Sequence, residues 1–203
     1  MARIDDYIES KKIAVESLRN DSFSDIVKRS GFSKADQERF RISFLNRTYL
    51  ANFPEFEFLD EADRTREVPI QEQILILHYM MSQTGAGPTD NWISFREIPG
   101  ASFYFSTFVK RAIDPLKKLF GQDISKLERP AETIRGQSLH IGDVAYRFQI
   151  FPKVAIQVIL WEGDDEFPPE ANIIFNDNIG EILSPEDVAW MAGMLVYRLI
   201  ALS

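Results

Sequence analysis

Apolar residues recur along this chain with two different periods, and the switch between them organises it. Ile4, Tyr7, Ile8, Val15 and Leu18 fall on one helical face, which predicts an amphipathic helix over about residues 4–19. A second, shorter helix is expected over Asp25–Arg29, closed near Gly31, a residue type suited to a left-handed cap. Phe40, Ile42 and Phe44 then alternate with Arg41 and Ser43, Asn46-Arg47 supplies a turn, and Tyr49-Leu50-Ala51 follows. That pattern predicts a hairpin with one buried face. Pro54 and the acidic run Glu55–Asp63 end it and read as a linker.

Pro69 sits where a first-turn proline is tolerated, and Ile70–Met81 behind it is apolar almost all round, so this helix should be buried. Ser82–Asp90 reads as a flexible loop, and Asn91–Phe95 as a short strand or extended segment. Phe103–Ile113 is expected to be helical, Asp114-Pro115 to break and restart the helix, and Leu116–Phe120 to end at Gly121. Ile124–Arg135 reads as irregular or weakly helical. From Gly142 the period becomes two: Val144, Tyr146, Phe148 and Ile150 share one face, and Val154, Ile156, Val158 and Leu160 share another. The short connection between those runs implies antiparallel pairing, and Asn172–Phe175 offers a third strand. Ser184 caps the last helix, with Pro185 at its first position and Glu186 and Asp187 at the positive end of its dipole. Hairpins alternate with helices and no strand–helix–strand unit appears. The class is therefore α+β, with a mainly antiparallel sheet built from hairpins and packed against buried helices. A single domain over 1–203 is expected, with an N-terminal helical and hairpin subdomain at 1–60 and a main domain at 68–203.

Charge narrows the partners. A net charge of −8 repels phosphate backbones and anionic lipid, which argues against nucleic-acid and membrane-surface binding. Cysteine is absent, so neither an iron–sulfur cluster nor a zinc–thiolate site can be built from this chain alone. With two histidines a His-rich metal site within one subunit is excluded as well. The first residues, MARIDDYIES, lack the apolar run of a signal peptide, and Val188–Ser203, the most apolar stretch, is short and carries Arg198. A soluble cytoplasmic protein is expected.

Candidate chemistry concentrates in Trp161–Asn172. Five carboxylates, Glu162, Asp164, Asp165, Glu166 and Glu170, are packed there into nine residues pinned by Gly163 and Pro168-Pro169. Such carboxylates can hold a divalent cation or separate two pKa values for acid–base work, and the prolines stiffen the loop. Trp161, Asp164, Asp165, Glu166, Glu170 and Asn172 are the candidate binding residues, and Asp164, Glu166 and Glu170 the candidate metal ligands. No calcium-loop spacing is met, and acidic loops are ordinarily just solvated. His78, inside the apolar helix, is a candidate general base beside Glu166, or a core histidine satisfied by a carbonyl. His140 falls in a surface turn. Gly85 and Gly87 lack the Lys-Ser/Thr of a phosphate loop, and Lys110, Arg111, Lys117 and Lys118 form a basic patch whose default reading is a solvated helix face. No catalytic constellation is present, which leans away from an enzyme, and no motif specifies a cofactor or an oligomeric state.

Leu77-His78-Tyr79, Trp92–Gly100, Gly142-Asp143-Val144, Phe151-Pro152 and the whole of Trp161–Asn172 together resemble the domain of unknown function 3786 family of bacteria and archaea. The similarity is clearest from about Ile70 onward. That family has no established activity. Its members occur largely in anaerobes, and some carry a Cys-rich iron–sulfur segment linked to corrinoid or one-carbon metabolism. The resemblance thus implies an accessory setting of that kind, while the absence of cysteine departs from those members. The expectation is a ligand-, cofactor- or partner-binding module whose partner is a small molecule or a protein. The alternatives are a carboxylate-based, divalent-metal-dependent enzyme, or an acidic motif that is purely structural.

Overall fold

The computed structural model describes residues 4–84 and 87–203. The chain divides into two compact units, 1–86 and 87–203. Each contains its own antiparallel sheet, and the fold class is α+β.

In the N-terminal unit α1 (Ile4–Leu18) buries Ala14, Val15 and Leu18. α2 (Phe23–Ser30) is capped by the Ser22 hydroxyl, which accepts from the Asp25 amide at 3.1 Å, and it ends at Gly31 with φ of 74°. The sheet runs β1-β2-β3-β4, from β1 (Ser33–Lys34), β2 (Arg39–Phe44), β3 (Arg47–Asn52) and β4 (Phe58–Asp60). Phe40, Ile42 and Phe44 are buried while Arg39, Arg41 and Ser43 are exposed, as the period of two requires.

Glu55–Asp63 is not a linker. Phe58–Asp60 pairs with Tyr49–Ala51 as β4, because Phe56 and Asp60 turn inward while Glu55 and Glu57 stay in solvent. The acidic residues hid a period-two strand. α3 (Ile70–Met81) is buried along most of its length and packs on α1 and α2. The division between units accordingly falls after this helix, not between residues 60 and 68.

In the C-terminal unit the sheet order is β5-β9-β8-β7-β6. The strands are β5 (Trp92–Ser94), β6 (Gln137–Leu139), β7 (Val144–Phe151), β8 (Val154–Trp161) and β9 (Glu170–Asn176). Every residue of β8 up to Leu160 is buried, so this central strand is covered on both faces. Phe95, just past β5, stacks on Phe108 with centroids 4.3 Å apart and lies edge-on to Phe175 of β9.

The expected break at Asp114-Pro115 does not occur. α4 (Phe105–Phe108) continues through a π-helical turn (Val109–Ile113) into α5 (Asp114–Phe120), the Asp114 amide reaching back to the Val109 carbonyl. Pro115 has no N–H to offer the Arg111 carbonyl, and the wider turn makes room for its ring. That carbonyl lies against α8 (Pro185–Ile200) at Gly193, where a Cβ would stand 3.4 Å from the oxygen. Ile124–Arg135 is more regular than expected, forming a 3₁₀ turn (Ile124–Leu127) and α6 (Glu128–Thr133). After β9 comes α7 (Ile179–Ile182). α8 then begins at Ser184, whose hydroxyl accepts from the Asp187 amide at 3.2 Å.

Of the Ser82–Asp90 loop, Gly85 lies outside the described residues. The described residues at the start of the C-terminal unit are tied to the sheet end. The Asn176 side-chain amide donates to the Thr89 carbonyl at 2.7 Å and that of Asn178 to the Gly87 carbonyl at 2.9 Å. Among the described residues no helix is long and apolar enough to cross a membrane.

Candidate functional site

Residues 162–169 connect β8 to β9, whose last pair is Trp161 with Glu170. The connector is held by its own backbone. Asp164 Oδ1 accepts from the amides of Glu166 at 2.8 Å and Phe167 at 2.7 Å, and the Asp164 amide donates to the Phe167 carbonyl at 2.9 Å. Those two amides hold the Asp164 carboxyl below the usual aspartate range. A lowered pKa means that the turn is fully formed above the ordinary value of about 4 and loosens only as pH falls through the depressed one. Titration by NMR should therefore show the Glu166 and Phe167 amides moving together below pH ~4. A midpoint at or above an unperturbed aspartate's would contradict the bonding.

Three further bonds fix the connector to the rest of the unit. The Gly163 amide donates to the Gly121 carbonyl at 2.9 Å, the Glu162 amide to Asp143 Oδ2 at 2.8 Å, and the Ile124 amide to Glu162 Oε1 at 3.4 Å. Pro169 wedges between two glycines: a Cβ on Gly121 would meet Pro169 Cβ at 2.5 Å, and one on Gly163 would meet Pro169 Cδ at 2.6 Å. Gly121 has φ of −71°, so it is needed for space and not for a left-handed cap. Gly142, with φ of 63°, brings the turn before β7 onto Trp161, where a Cβ would lie 2.8 Å from Ile159 and 3.3 Å from the indole.

What this frame leaves in solvent is apolar as well as acidic. Phe167 is 67% exposed, Trp161 39% and Ile141, beside Gly142, 43%. Asp165, Glu166 and Glu170 are exposed, and their carboxylates make no hydrogen bond or ion pair among the described residues. Asn172 is exposed on β9, opposite Ile159.

The predicted site residues thus divide by role. Asp164 staples the turn, and the other carboxylates face water. Asp164, Glu166 and Glu170 are not brought together as a metal-binding group: among the described residues no three His, Asp or Glu side chains are so placed. His78 belongs to the N-terminal unit, half-buried in a groove with Asp6, Glu9 and Met81, whereas the connector belongs to the C-terminal unit. His140 is exposed in its turn, and Lys110, Arg111 and Lys118 are exposed along the α4–α5 helix, with Lys117 half-buried.

A model of the family described as domain of unknown function 3786 matches residues 22–198, most of the chain. The chain belongs to the domain of unknown function 3786 family. No curated protein and no solved structure matches it. The matched span contains the whole connector and both of its anchoring glycines, and it begins after α1.

This member of the domain of unknown function 3786 family also carries a buried ionic cluster absent from the residue patterns above. Tyr49 of β3 donates its hydroxyl to Glu72 Oε2 of α3, both side chains being buried. Burial, then the Glu72 carboxylate, pushes the phenol up to about 12. Arg47, two residues along β3, sets its charge against Tyr49, Glu72 and Asp60. Asp60, 1% exposed and paired across the sheet with Tyr49, accepts the amides of Ala62 at 3.0 Å and Asp63 at 3.2 Å through Oδ1. Its buried Oδ2 makes no hydrogen bond and faces Arg66 at 3.8 Å, an ion-pair distance only. The one readable signal was Glu72, the sole acid in a mostly apolar helix.

Proposed function

We propose that this chain is a partner-binding module whose recognition surface is the β8–β9 connector. Its partner is a protein segment with basic residues around an apolar anchor. The observation that carries this reading is Phe167. Its ring stands 67% exposed, on a backbone whose amide and carbonyl are both held by Asp164. An aromatic side chain kept rigid in water costs the free protein hydrophobic stabilisation, and recovers it when a partner covers it. Preorganisation reduces the ordering cost of association, and the unpaired carboxylates of Asp165, Glu166 and Glu170 favour a cationic rim. The metal-dependent enzyme ranks below it, because Asp164 spends an oxygen on backbone amides. A structural motif explains Asp164 and Pro169 but not Phe167. The corrinoid and one-carbon setting implied by the resemblance would supply a context for such a partner.

The test is selection of a random peptide library against the protein. Recovered peptides should be enriched in Arg or Lys with an apolar anchor. Phe167→Ser should weaken them about 30-fold, the loss of a hot-spot residue. Peptides without basic enrichment, or indifferent to Phe167→Ser, would sink the reading. The triple change Asp165→Asn, Glu166→Gln, Glu170→Gln is expected to weaken binding and flatten its salt dependence without lowering the melting temperature, since no partner is lost on folding. A drop of several degrees in that variant would favour the structural role instead.

A further inference from the structure

We infer that Lys11 is a site of covalent acylation, its amine accepting short acyl groups from acyl phosphates whose chain lies in the groove beside it. The groove measures about 470 Å³, within the range of small-molecule pockets. One wall is a stripe at helical spacing that runs from Ile8 of α1 through Lys11 and Val15 to Arg19 just past its end; Glu55 and Ile70 face it. The groove lies wholly in the N-terminal unit.

The cations of that stripe are not alike. Lys12 is exposed and contacts Glu9 at 3.9 Å, and Arg19 is exposed and donates from Nε to the Pro54 carbonyl at 3.1 Å. Lys11 is half-buried, and its ammonium makes no hydrogen bond or ion pair among the described residues. What it has instead is the half-buried ring of Phe58 in β4, with Nζ 5.8 Å from the centroid, the outer limit of a cation–π contact. Charges of both signs share its surroundings: Glu57 from the neighbouring segment, Lys12, Glu16 and Arg19 from its own stripe, and Glu55 across the groove. Burial outweighs the pull of Glu57 and brings the Lys11 ammonium below the usual lysine range.

A desolvated lysine keeps more free amine at neutral pH than an exposed one, and the free amine is the nucleophile. Its lone pair attacks the carbonyl carbon of the acyl phosphate. The N–C bond forms, the C–O bond to phosphate breaks, phosphate leaves with the bonding electrons, and the proton shed by nitrogen passes to water. Ile8, Val15 and Ile70 give the acyl chain an apolar wall, and the three cations of the groove outnumber Glu16 and Glu55 around the departing phosphate. The product also suits the place. Acylating Lys11 removes a charge that the fold must desolvate, whereas acylating Lys12 removes one that water already solvates.

Brief treatment of the intact protein with acetyl phosphate or hexanoyl phosphate, read by peptide mass spectrometry, tests this with Lys12 as the internal control. Lys11 is expected to be acetylated at least about threefold faster than Lys12 near pH 7, since each unit by which an amine's pKa falls brings about tenfold more free base. The Lys11-to-Lys12 ratio should rise further with hexanoyl phosphate, whose chain the apolar wall can cover. Ile8→Ser, at an exposed position, wets that wall and should bring the hexanoyl ratio down towards the acetyl one. Lys11 reacting no faster than Lys12 would overturn the inference. So would a ratio indifferent to chain length, or a hexanoyl ratio that Ile8→Ser leaves unchanged.

Discussion

Arg47→Ala is expected to destabilise the N-terminal unit by about 2–4 kcal/mol, read as a fall in the midpoint of its denaturant unfolding. The argument is one of uncompensated charge. Asp60 and Glu72 are 1% and 7% exposed, and Arg47 sets its charge against both. Removing one partner of a fully buried pair costs about 3–5 kcal/mol, and an exposed pair contributes about 1 or less. Arg47 is half-buried, so its loss belongs between those limits and nearer the upper. Neutralising Glu72 as well should restore part of the loss: Arg47→Ala with Glu72→Gln is expected to be more stable than Arg47→Ala alone. Strict additivity of the two changes would show that the charges do not act as a unit. The raised Tyr49 pKa has its own consequence. A folded-state value above the unfolded one gives stability that is complete below pH 10.0 and is lost as pH rises towards about 12.

Gly121→Ala is expected to have the largest effect on the connector. A methyl there would lie 2.5 Å from the Lys117 carbonyl and 2.5 Å from Pro169 Cβ, both parts of the structure that cannot swing aside. Either the C-terminal turn of α5 or the connector must move, at a cost of about 1–3 kcal/mol. The bond from Gly163 to Gly121 is the first that such a shift breaks. Hydrogen exchange at Gly163, Glu166 and Phe167 should therefore accelerate, and binding of selected peptides should fall, with Phe167 itself unchanged. Unaltered exchange at those three amides would mean that the prolines alone fix the connector. Gly163→Ala makes a useful comparison: its closest contact is the end of the Gln122 side chain at 2.5 Å, which can rotate away, so that part of its clash is cheaper.

How far the residues alone reveal this molecule depends on the range of the interactions involved. β7 was readable from its alternation, β8 from an almost continuous apolar run one short turn after it, and the last helix because Ser184, Pro185, Glu186 and Asp187 carry local capping chemistry. β4 escaped because carboxylates at Glu55, Glu57 and Glu61 outweigh the inward Phe56 and Asp60 in any local reading. The unbroken helix through Pro115 escaped because proline's local rule is to end a helix, and here a π turn against Gly193 absorbs it. At the connector, position and rigidity could be read, but the division of labour could not. An aspartate that accepts two backbone amides and one awaiting a cation have the same letter. The Tyr49–Glu72–Asp60 cluster depends on strand register and helix docking, which no spacing along the chain expresses.

The central claim is that the connector presents Phe167 to a basic, apolar protein segment. Its most direct test is a photo-crosslinking residue placed at position 167 in cells that make this protein, with an exposed control position such as Glu132. A discrete crosslinked partner is expected from position 167 and not from 132, and its crosslinked peptide should contain Arg or Lys beside an apolar residue. A crosslink pattern shared by both positions, or a crosslinked peptide that is acidic, would contradict it.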